Sequence, residues 1–396
     1  MALTSIGQQK TPGRPTEITF EAETGLPSDL QDVLLIGHAA SGATGTNTVI
    51  AINNAGDLTA ASTEVAAKFG DGSEIALMVL AGIRANSGGA TYPPIKCVPL
   101  DSAETSIPTA AQNAILKVKA DYIVTPYDMQ NDTIERDILK SLAQTMSGAT
   151  RVSNNQFGSF GVGVNHDVTD PSTLDATDSQ YLIAIWLRDT GTGDDARSYS
   201  LGEDAAAAAC KMAANGIPFN PLDDATINGV PAPLQDSDWI TVGAALESES
   251  ALNQGWTPIY TKPNSEMAFV RTVTSRLSAD GTGSPVVTSY YDVQDFNVLY
   301  FWRKTLYTRF SQPDFKKKAS LRTANNIKAE AIRLAQQFES QEMFQAVNEL
   351  AKEFIVEKNA SDRSRFDVLT PVNVIPGLHV IATNVAATTR FDVVTV

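Results

Sequence analysis

Three histidines, His38, His166 and His379, are the only imidazoles in the 396-residue chain, so a serine nucleophile activated by a histidine would have to use one of them. His38 stands in LIGHAASG, directly after an apolar run that predicts a strand. A general base can occupy such a place; equally, a histidine there can cap a loop. His166 adjoins Asp167 in a polar turn and is expected at the surface, and His379 falls in a predicted terminal hairpin. No GxSxG elbow accompanies them. GATGTNT (42–48) fits neither GxxxxGK[ST] nor GxGxxG, and GVG (161–163) lacks a third glycine, so both are expected as loops or strand ends and not as phosphate cradles. The acid pairs Asp194/Asp195, Asp223/Asp224 and Asp236/Asp238 offer oxygen ligands of the kind calcium accepts, but without the EF-hand spacing they are expected as solvated surface. Cys97 and Cys210 are far apart and in no metal-type spacing, which predicts reduced thiols. The chemistry-bearing residues therefore predict no catalytic set, no cofactor and no metal.

Two further groups need placing. Phe296, Tyr300, Phe301, Trp302, Tyr307 and Phe310 crowd one predicted helix and could cage a ligand, or form a core or a subunit interface. Close by, Arg303, Lys304, Arg309, Lys316, Lys317 and Lys318 open a basic stretch. Between Arg303 and Arg365 there are 13 Lys/Arg and 8 Asp/Glu, a local net of +5 in a chain of net charge −15. This asymmetry predicts either a solvated helical surface or a positive face that meets the acidic face of another copy. The overall acidity disfavours nucleic acid and anionic membranes as partners. The N-terminal residues show no signal-peptide pattern, and the longest apolar run, IALMVLAGI (75–83), is too short to span a bilayer, so a soluble protein without membrane insertion is expected.

The elements that must position these residues alternate strand and helix. DVLLIGHA (32–39), IKCVPL (95–100), DYIVTPY (121–127), FGVGVN (160–165) and YLIAIWL (181–187) predict buried strands. Between them, 62–70 (starting at Ser62), 73–86, 108–120, 131–148 (apolar stripe at 134, 138 and 142) and 202–216 predict helices. The order predicts a three-layer α/β domain with a mostly parallel sheet. EMAFVRTVTSRL (266–277) predicts a further strand. Beyond it come an aromatic helix over 293–310 and a helical stretch over 325–354 with a break near Ser340.

Both ends of the chain predict strands with no place in that sheet. TEITFEAE (16–23) puts Ile18, Phe20 and Ala22 on one face, and TRFDVVTV (389–396) carries Phe391, Val393 and Val394. Between them and the helices, FDVLTPVNVI (366–375) and LHVIATNV (378–385) predict a hairpin about Pro376-Gly377. An unpaired alternating strand is a liability unless it pairs elsewhere, and strand addition to another copy satisfies it.

WTPIYTKPNSEMAFVRTVTSRL (256–277), YYDVQDFNVLYFWRKTLYTRFSQPDFKKK (290–318), RFDVLTPVNVIPGLHVIATNVAATTRF (365–391) and, more loosely, ADYIVTPYD (120–128) resemble segments of the tail sheath proteins of contractile phages, in particular the short sheaths of Mu-like phages. The resemblance extends over most of 29–391. It implies a subtilisin-like α/β fold without the activity over 29–283, an α+β C-terminal domain over 284–386, and arms over 1–28 and 387–396 that add strands to neighbouring subunits. It also implies six-fold discs of sheath subunits around a tail tube protein, with a baseplate and a tail terminator as further partners, in a virion tail assembled in the host cytoplasm. Two other readings remain open at this point: a subtilisin-like serine hydrolase with His38 as base, and another self-assembling tubular or lattice protein, a phage-derived bacteriocin sheath among them.

Overall fold

The computed structural model describes residues 31–86, 92–148, 151, 155–188, 199–215, 220–230, 247–262, 266–277, 292–315, 318–362 and 364–377. In chain order the α/β part runs β1 (Val33–His38), β2 (Ile50–Ala51), α1 (Leu58–Phe69), α2 (Glu74–Ala85), β3 (Ile95–Leu100), α3 (Thr109–Ile115), β4 (Tyr122–Val124), α4 (Thr133–Met146), β5 (Phe160–Asn165), β6 (Leu182–Trp186), α5 (Leu201–Ala213), β7 (Thr226–Ile227), α6 (Glu247–Asn253), β8 (Trp256–Thr261) and β9 (Met267–Phe269). The strands form one sheet ordered β2-β3-β1-β4-β5-β6-β8-β9-β7. Its six central strands, β3 to β8, are parallel, and β2, β9 and β7 pair antiparallel at the two ends.

The parallel strands are buried on both faces, as near-continuous apolar runs require. Val33, Leu35, Val162, Val164, Ile183 and Ile185 face α1, α2 and α5 in one core. The alternate residues Leu34, Ile36, Ile123, Leu182 and Ala184 face α3, α4 and α6 in a second core. This is the three-layer α/β architecture that the strand–helix alternation predicts. Helices α2 and α5 approach closely through small residues: a Cβ on Gly82 would lie 2.6 Å from Cys210 Sγ, beside the fully buried run Ala205–Ala209.

Several local expectations are corrected. Helix α1 starts at Leu58, not near Ser62, because Asp57 caps it by accepting from the amides of Thr59 and Ala60. Helix α3 stops at Ile115 instead of 120; the chain there turns back to lay Asp121 N on Asp32 O, 2.8 Å away, which sets β4 beside β1. The inward stripe of α4 is Glu135, Leu139, Leu142, Ala143 and Met146, and Ile134 is left 69% exposed. The strand expected over 266–277 forms a ladder only over β9. Past it, Thr257 Oγ1 both donates to Val273 O and accepts from Val273 N, at 3.0 and 2.9 Å, in place of a backbone partner.

The C-terminal part runs α7 (Val293–Phe310), α8 (Leu321–Ser340), β10 (Phe344–Gln345), α9 (Val347–Leu350), β11 (Ile355–Lys358), β12 (Phe366–Leu369) and β13 (Asn373–Val374). Helix α8 ends at Ser340, where a break is expected, and Glu342 and Ala346 adopt left-handed backbone (φ +58° each). β11 and β12 form a two-stranded antiparallel hairpin, and β10 pairs antiparallel with β13.

Helix α7 joins the two parts by belonging to both cores. Val293 and Phe296 are buried with the sheet and α2, while Val298, Phe301 and Trp302 are buried with Leu334, Phe338 and Phe344 of the C-terminal core. The aromatic segment is thus core, with Trp302 edge-on to Phe338 and Phe344, and Phe310 packed on Phe315. Tyr300 lies against Gly158, where a Cβ would fall within 2.0–2.2 Å of three ring carbons. Arg303 donates to Ser147 O (2.7 Å), Phe157 O (3.0 Å) and Gly148 O (3.2 Å), which ties α7 to the α4–β5 connection. Asn297 accepts from Gln31 Nε2 (2.9 Å) and donates to the Tyr122 hydroxyl (3.3 Å), so the start of the described chain is bound to the same helix. At its other end Arg309 donates to Glu330 Oε1 (2.6 Å) and Asp314 Oδ2 (2.9 Å), and Arg333 joins Glu330 at 2.8 Å.

The joint gives two predictions. Gly158→Ala must displace Tyr300 and is expected to cost about 1–3 kcal/mol; Arg303→Ala removes the side-chain donor to Ser147 O and Phe157 O, while Gly148 O keeps the Arg151 amide, and is expected to cost about 1–3 kcal/mol. Both are measured by denaturant unfolding followed by tryptophan fluorescence, and an unchanged midpoint in both would show that α7 docks without them. The second concerns acid. The Arg333 and Arg309 guanidiniums hold the Glu330 carboxyl down to about 2 against partial burial. Its folded value lies below its unfolded one, so its contribution is fully present above the ordinary carboxylate range, about 4.5, and is lost as pH falls toward about 2. Glu330→Gln is expected to cost about 1–3 kcal/mol at neutral pH and to lose that part of the acid dependence, as read from urea midpoints across the acid range.

Candidate functional site

In an open parallel sheet a ligand site forms at the carboxyl ends of the strands where the strand order reverses. Here the chain passes from β1 outward to β3 and then returns to β4 on the other side of β1, so the reversal lies between β1 and β4. His38 ends β1 at this point. Gly37 allows it: a Cβ there would lie 2.7 Å from Met78 Sδ and 3.2 Å from Ile75 Cα, so glycine lets α2 lie against the strand end and brings Glu74, the first residue of α2, to the imidazole. His38 Nδ1 is 2.5 Å from Glu74 Oε2, and Nε2 is 2.8 Å from the carbonyl oxygen of Glu104 in the β3–α3 loop. The His38 amide also donates to Glu74 Oε2, at 3.0 Å. Tyr127, after β4, meets the ring edge-on with its hydroxyl 3.5 Å from Nε2. The hydrogen bond to Glu74 raises the His38 pKa above its ordinary value. A general base needs a free lone pair on the ring, and here both nitrogens face acceptors. Of the two roles open to His38, the geometry supports the one that holds loops together.

The next strand end is also filled. His166 is not the exposed residue expected: its side chain is 14% exposed, and Nε2 stands 2.8 Å from Oδ2 of Asp204, a fully buried residue in the first turn of α5. Ser200 is occupied as the cap of that helix in a capping box with Glu203. Asn165 donates to both oxygens of Asp128, which also accepts from the amides of Gln130 and Asn131. The acid near the strand end is thereby saturated from within the chain. His379 lies outside the described residues.

Of the acid pairs, Asp223/Asp224 is described; Asp224 accepts from the Tyr260 hydroxyl, and its carbonyl from Lys262. Asp194/Asp195 and Asp236/Asp238 lie outside the described residues. Among the described residues no group of three His, Cys, Asp or Glu is placed to hold a metal ion. Cys97 and Cys210 are both buried and free, and burial pushes the Cys210 thiol up to about 12, so it holds its proton at neutral pH.

The basic stretch divides. Arg303 and Arg309, expected at an interface with another copy, are engaged inside the chain by the carbonyls and carboxylates given above. Their guanidiniums serve α7 because α7 sits on two cores and its flanks face protein. Lys304 lines a small cavity with Gln31, Lys119, Asp121 and Tyr300. Lys318 is exposed, and Lys316 and Lys317 lie outside the described residues. So do both strand-forming ends, with Ile18, Phe20 and Ala22 at one and Phe391, Val393 and Val394 at the other.

One surface was not singled out by the sequence. On the β11–β12 hairpin Ile355, paired with Leu369, is 41% exposed; Leu369 is 59% and Val368 39% exposed. The two strands pair only with each other among the described residues, so each presents an open edge. The alternating pattern of FDVL was its signal; only the structure shows that the apolar residues stay uncovered.

No protein-family model and no curated protein matches the sequence. Solved structures do match. A chain of the six-fold symmetrised baseplate of the anti-feeding prophage superposes with a TM-score of 0.61 at 12% identity, over 96% of this chain and 100% of that one. The helical sheath of the same prophage in its contracted state gives 0.60 at 13% identity, over 96% and 99%. A sheath tail protein of Listeria innocua gives 0.60 at 12% identity, over 90% and 94%. Matches that cover 90–96% of this chain take in both the α/β part and the C-terminal part, and the chain has the fold of tail sheath proteins.

Proposed function

We propose that this chain is a structural subunit of a contractile tail sheath, which polymerises around a tail tube and contracts to drive the tube through a host envelope. The observation that carries the proposal is the extent of the likeness: nearly the whole chain corresponds to nearly the whole of a contracted-sheath subunit. A catalytic domain that shared only the sheet would leave the α7–β13 part unmatched. The engagement of both His38 nitrogens supports a scaffold over a serine hydrolase.

In this proposal the subunits assemble as six-fold discs, with a tube protein inside and a baseplate and terminator at the two ends. The terminal segments 1–28 and 387–396 add strands to sheets of neighbouring copies through backbone hydrogen bonds that persist during contraction. The exposed apolar hairpin β11–β12 is a suitable acceptor, because it has two open edges and uncovered apolar side chains, with Ile355 and Leu369 paired on one face and Val368 on the other. The blocks between the arms move as rigid bodies and exchange partners for contacts of lower free energy. Lys316, Lys317 and Lys318 remain the basic residues suited to meet an acidic face of another copy. Assembly takes place in the host cytoplasm and the product is the tail of a virion or of a particle derived from one.

Deleting residues 1–24 tests the tether. The variant is expected to unfold at the same denaturant midpoint as the full chain, yet to give no tubes in negative-stain micrographs under conditions where the full chain does. Normal tubes from the truncated chain would overturn the strand-addition role of the N-terminal arm.

A further inference from the structure

The sheet rim around His38 holds an arrangement that scaffolding alone does not require. Four separate connections meet at one imidazole: the end of β1 supplies the ring, α2 supplies the Glu74 carboxylate, the β3–α3 loop supplies the Glu104 carbonyl, and the β4–α4 loop supplies Tyr127. The Glu104 carbonyl oxygen can only accept, so the bond at Nε2 needs a proton on that nitrogen. Nδ1 stands 2.5 Å from a carboxylate oxygen that also accepts from the His38 amide, and its bond needs a proton as well. A neutral imidazole carries one N–H and can make only one of these two bonds; the imidazolium makes both.

We propose that His38 is a protonation-controlled latch, which in its cationic form pins the β3–α3 loop to the first turn of α2 and on losing its proton holds only one of the two, so that the loop is no longer tied to the helix through the ring. The groups that face it are mostly acidic. Glu74 comes from α2 and Glu104 from the loop itself. Tyr127 flanks the ring, with Asp132 and Glu135 at the start of α4 acting on Tyr127. Along the same rim His166 is paired with Asp204. This surrounding favours the cation, in agreement with the upward shift caused first by the Glu74 hydrogen bond. The side chain is 25% exposed, so solvent protons reach it without unfolding. The sign follows: the folded value lies above the unfolded one, so the latch contributes fully below the ordinary histidine range and is lost as pH rises through the raised folded value.

The loop carries the readout. Hydrogen exchange by mass spectrometry is run on the full chain and on His38→Gln at about pH 6, below the ordinary histidine value, and at about pH 9, with intrinsic rates divided out. Glutamine can donate to one acceptor but does not titrate. Peptides covering residues 101–107 are expected to exchange several-fold more slowly in the full chain than in the variant at the lower pH, and at the same rate at the higher one. An equal difference at both values would mean a fixed contact and no switch, and no difference at either would mean no latch; each overturns the proposal. Glu74→Gln provides an independent arm that keeps the imidazole. The His38 proton resonance, assigned by its loss in His38→Gln, is expected to titrate at lower pH in Glu74→Gln than in the full chain, and an unmoved midpoint would overturn the assignment of Glu74 as the partner.

Discussion

Helix α7 is the constraint on which the rest of the molecule depends. Its first residues complete the core against the sheet and its later ones complete the C-terminal core, so neither core closes without the other part's helix. The polar contacts reinforce this at both ends. Arg271 holds Asp292, the residue before the helix, through two bonds of 2.7 and 2.8 Å, and Arg309 holds Glu330 at the far end. An 18-residue helix is about 27 Å long, and a continuous backbone of that length packed along two cores does not bend without breaking both. Mechanical load applied to the C-terminal part therefore passes to the sheet through packed side chains and not through a linker. In the proposed assembly a subunit built this way would move as one block, leaving large rearrangement to occur between copies.

The sheet poses the opposite question, because the place where an α/β fold usually keeps its chemistry is taken up by internal bonds. The two described histidines each meet a carboxylate in the first turn of a helix, Glu74 of α2 and Asp204 of α5. A carboxylate at a helix N-terminus is favoured by the helix dipole. The α2 and α5 turns lie side by side, because Gly37 and Gly202 both admit Met78 at distances no side chain would tolerate. The rim is consequently filled by the chain's own side chains where a binding cleft would be open.

Much of this was legible in the sequence, and the failures have physical causes. The parallel strands β1, β3 and β5 coincide with apolar runs because burial on both faces leaves little freedom for other residues. The α7 limits are those expected for the aromatic-rich helix over 293–310, and α8 ends at Ser340, where the apolar pattern breaks. What misled was local. Ile134 looks like a core residue by period, but the inward face of α4 is the one that carries Glu135, Leu139, Leu142 and Met146, which leaves Ile134 in solvent. Arg303 and Arg309 look like free surface charge, since a sequence shows the sign of a group but not the carbonyls and carboxylates that long-range folding brings to it. His166 was misjudged for the same reason: its partner Asp204 is 38 residues later, across a strand and a helix start.

The charge pattern and the open hairpin together bear on how copies could meet without aggregating. A chain of net charge −15 repels its copies at long range, and that repulsion decays over about 8 Å at physiological salt. Backbone pairing along an open strand edge acts only at contact, so it competes with repulsion only where the surface is locally less negative. The span 355–369 carries three Lys/Arg and three Asp/Glu, so it is locally neutral in an acidic chain, and its hairpin presents Ile355, Val368 and Leu369 there. Lys358 and Arg365 flank the turn, and Arg365 is partly neutralised by Asp367 at 2.7 Å. In the proposed assembly the acidic body thus suppresses contacts in wrong orientations, while the C-terminal part admits a strand in the one register that also covers its apolar side chains. Specificity would then come from the coincidence of charge relief and strand pairing at one edge, and neither alone would suffice.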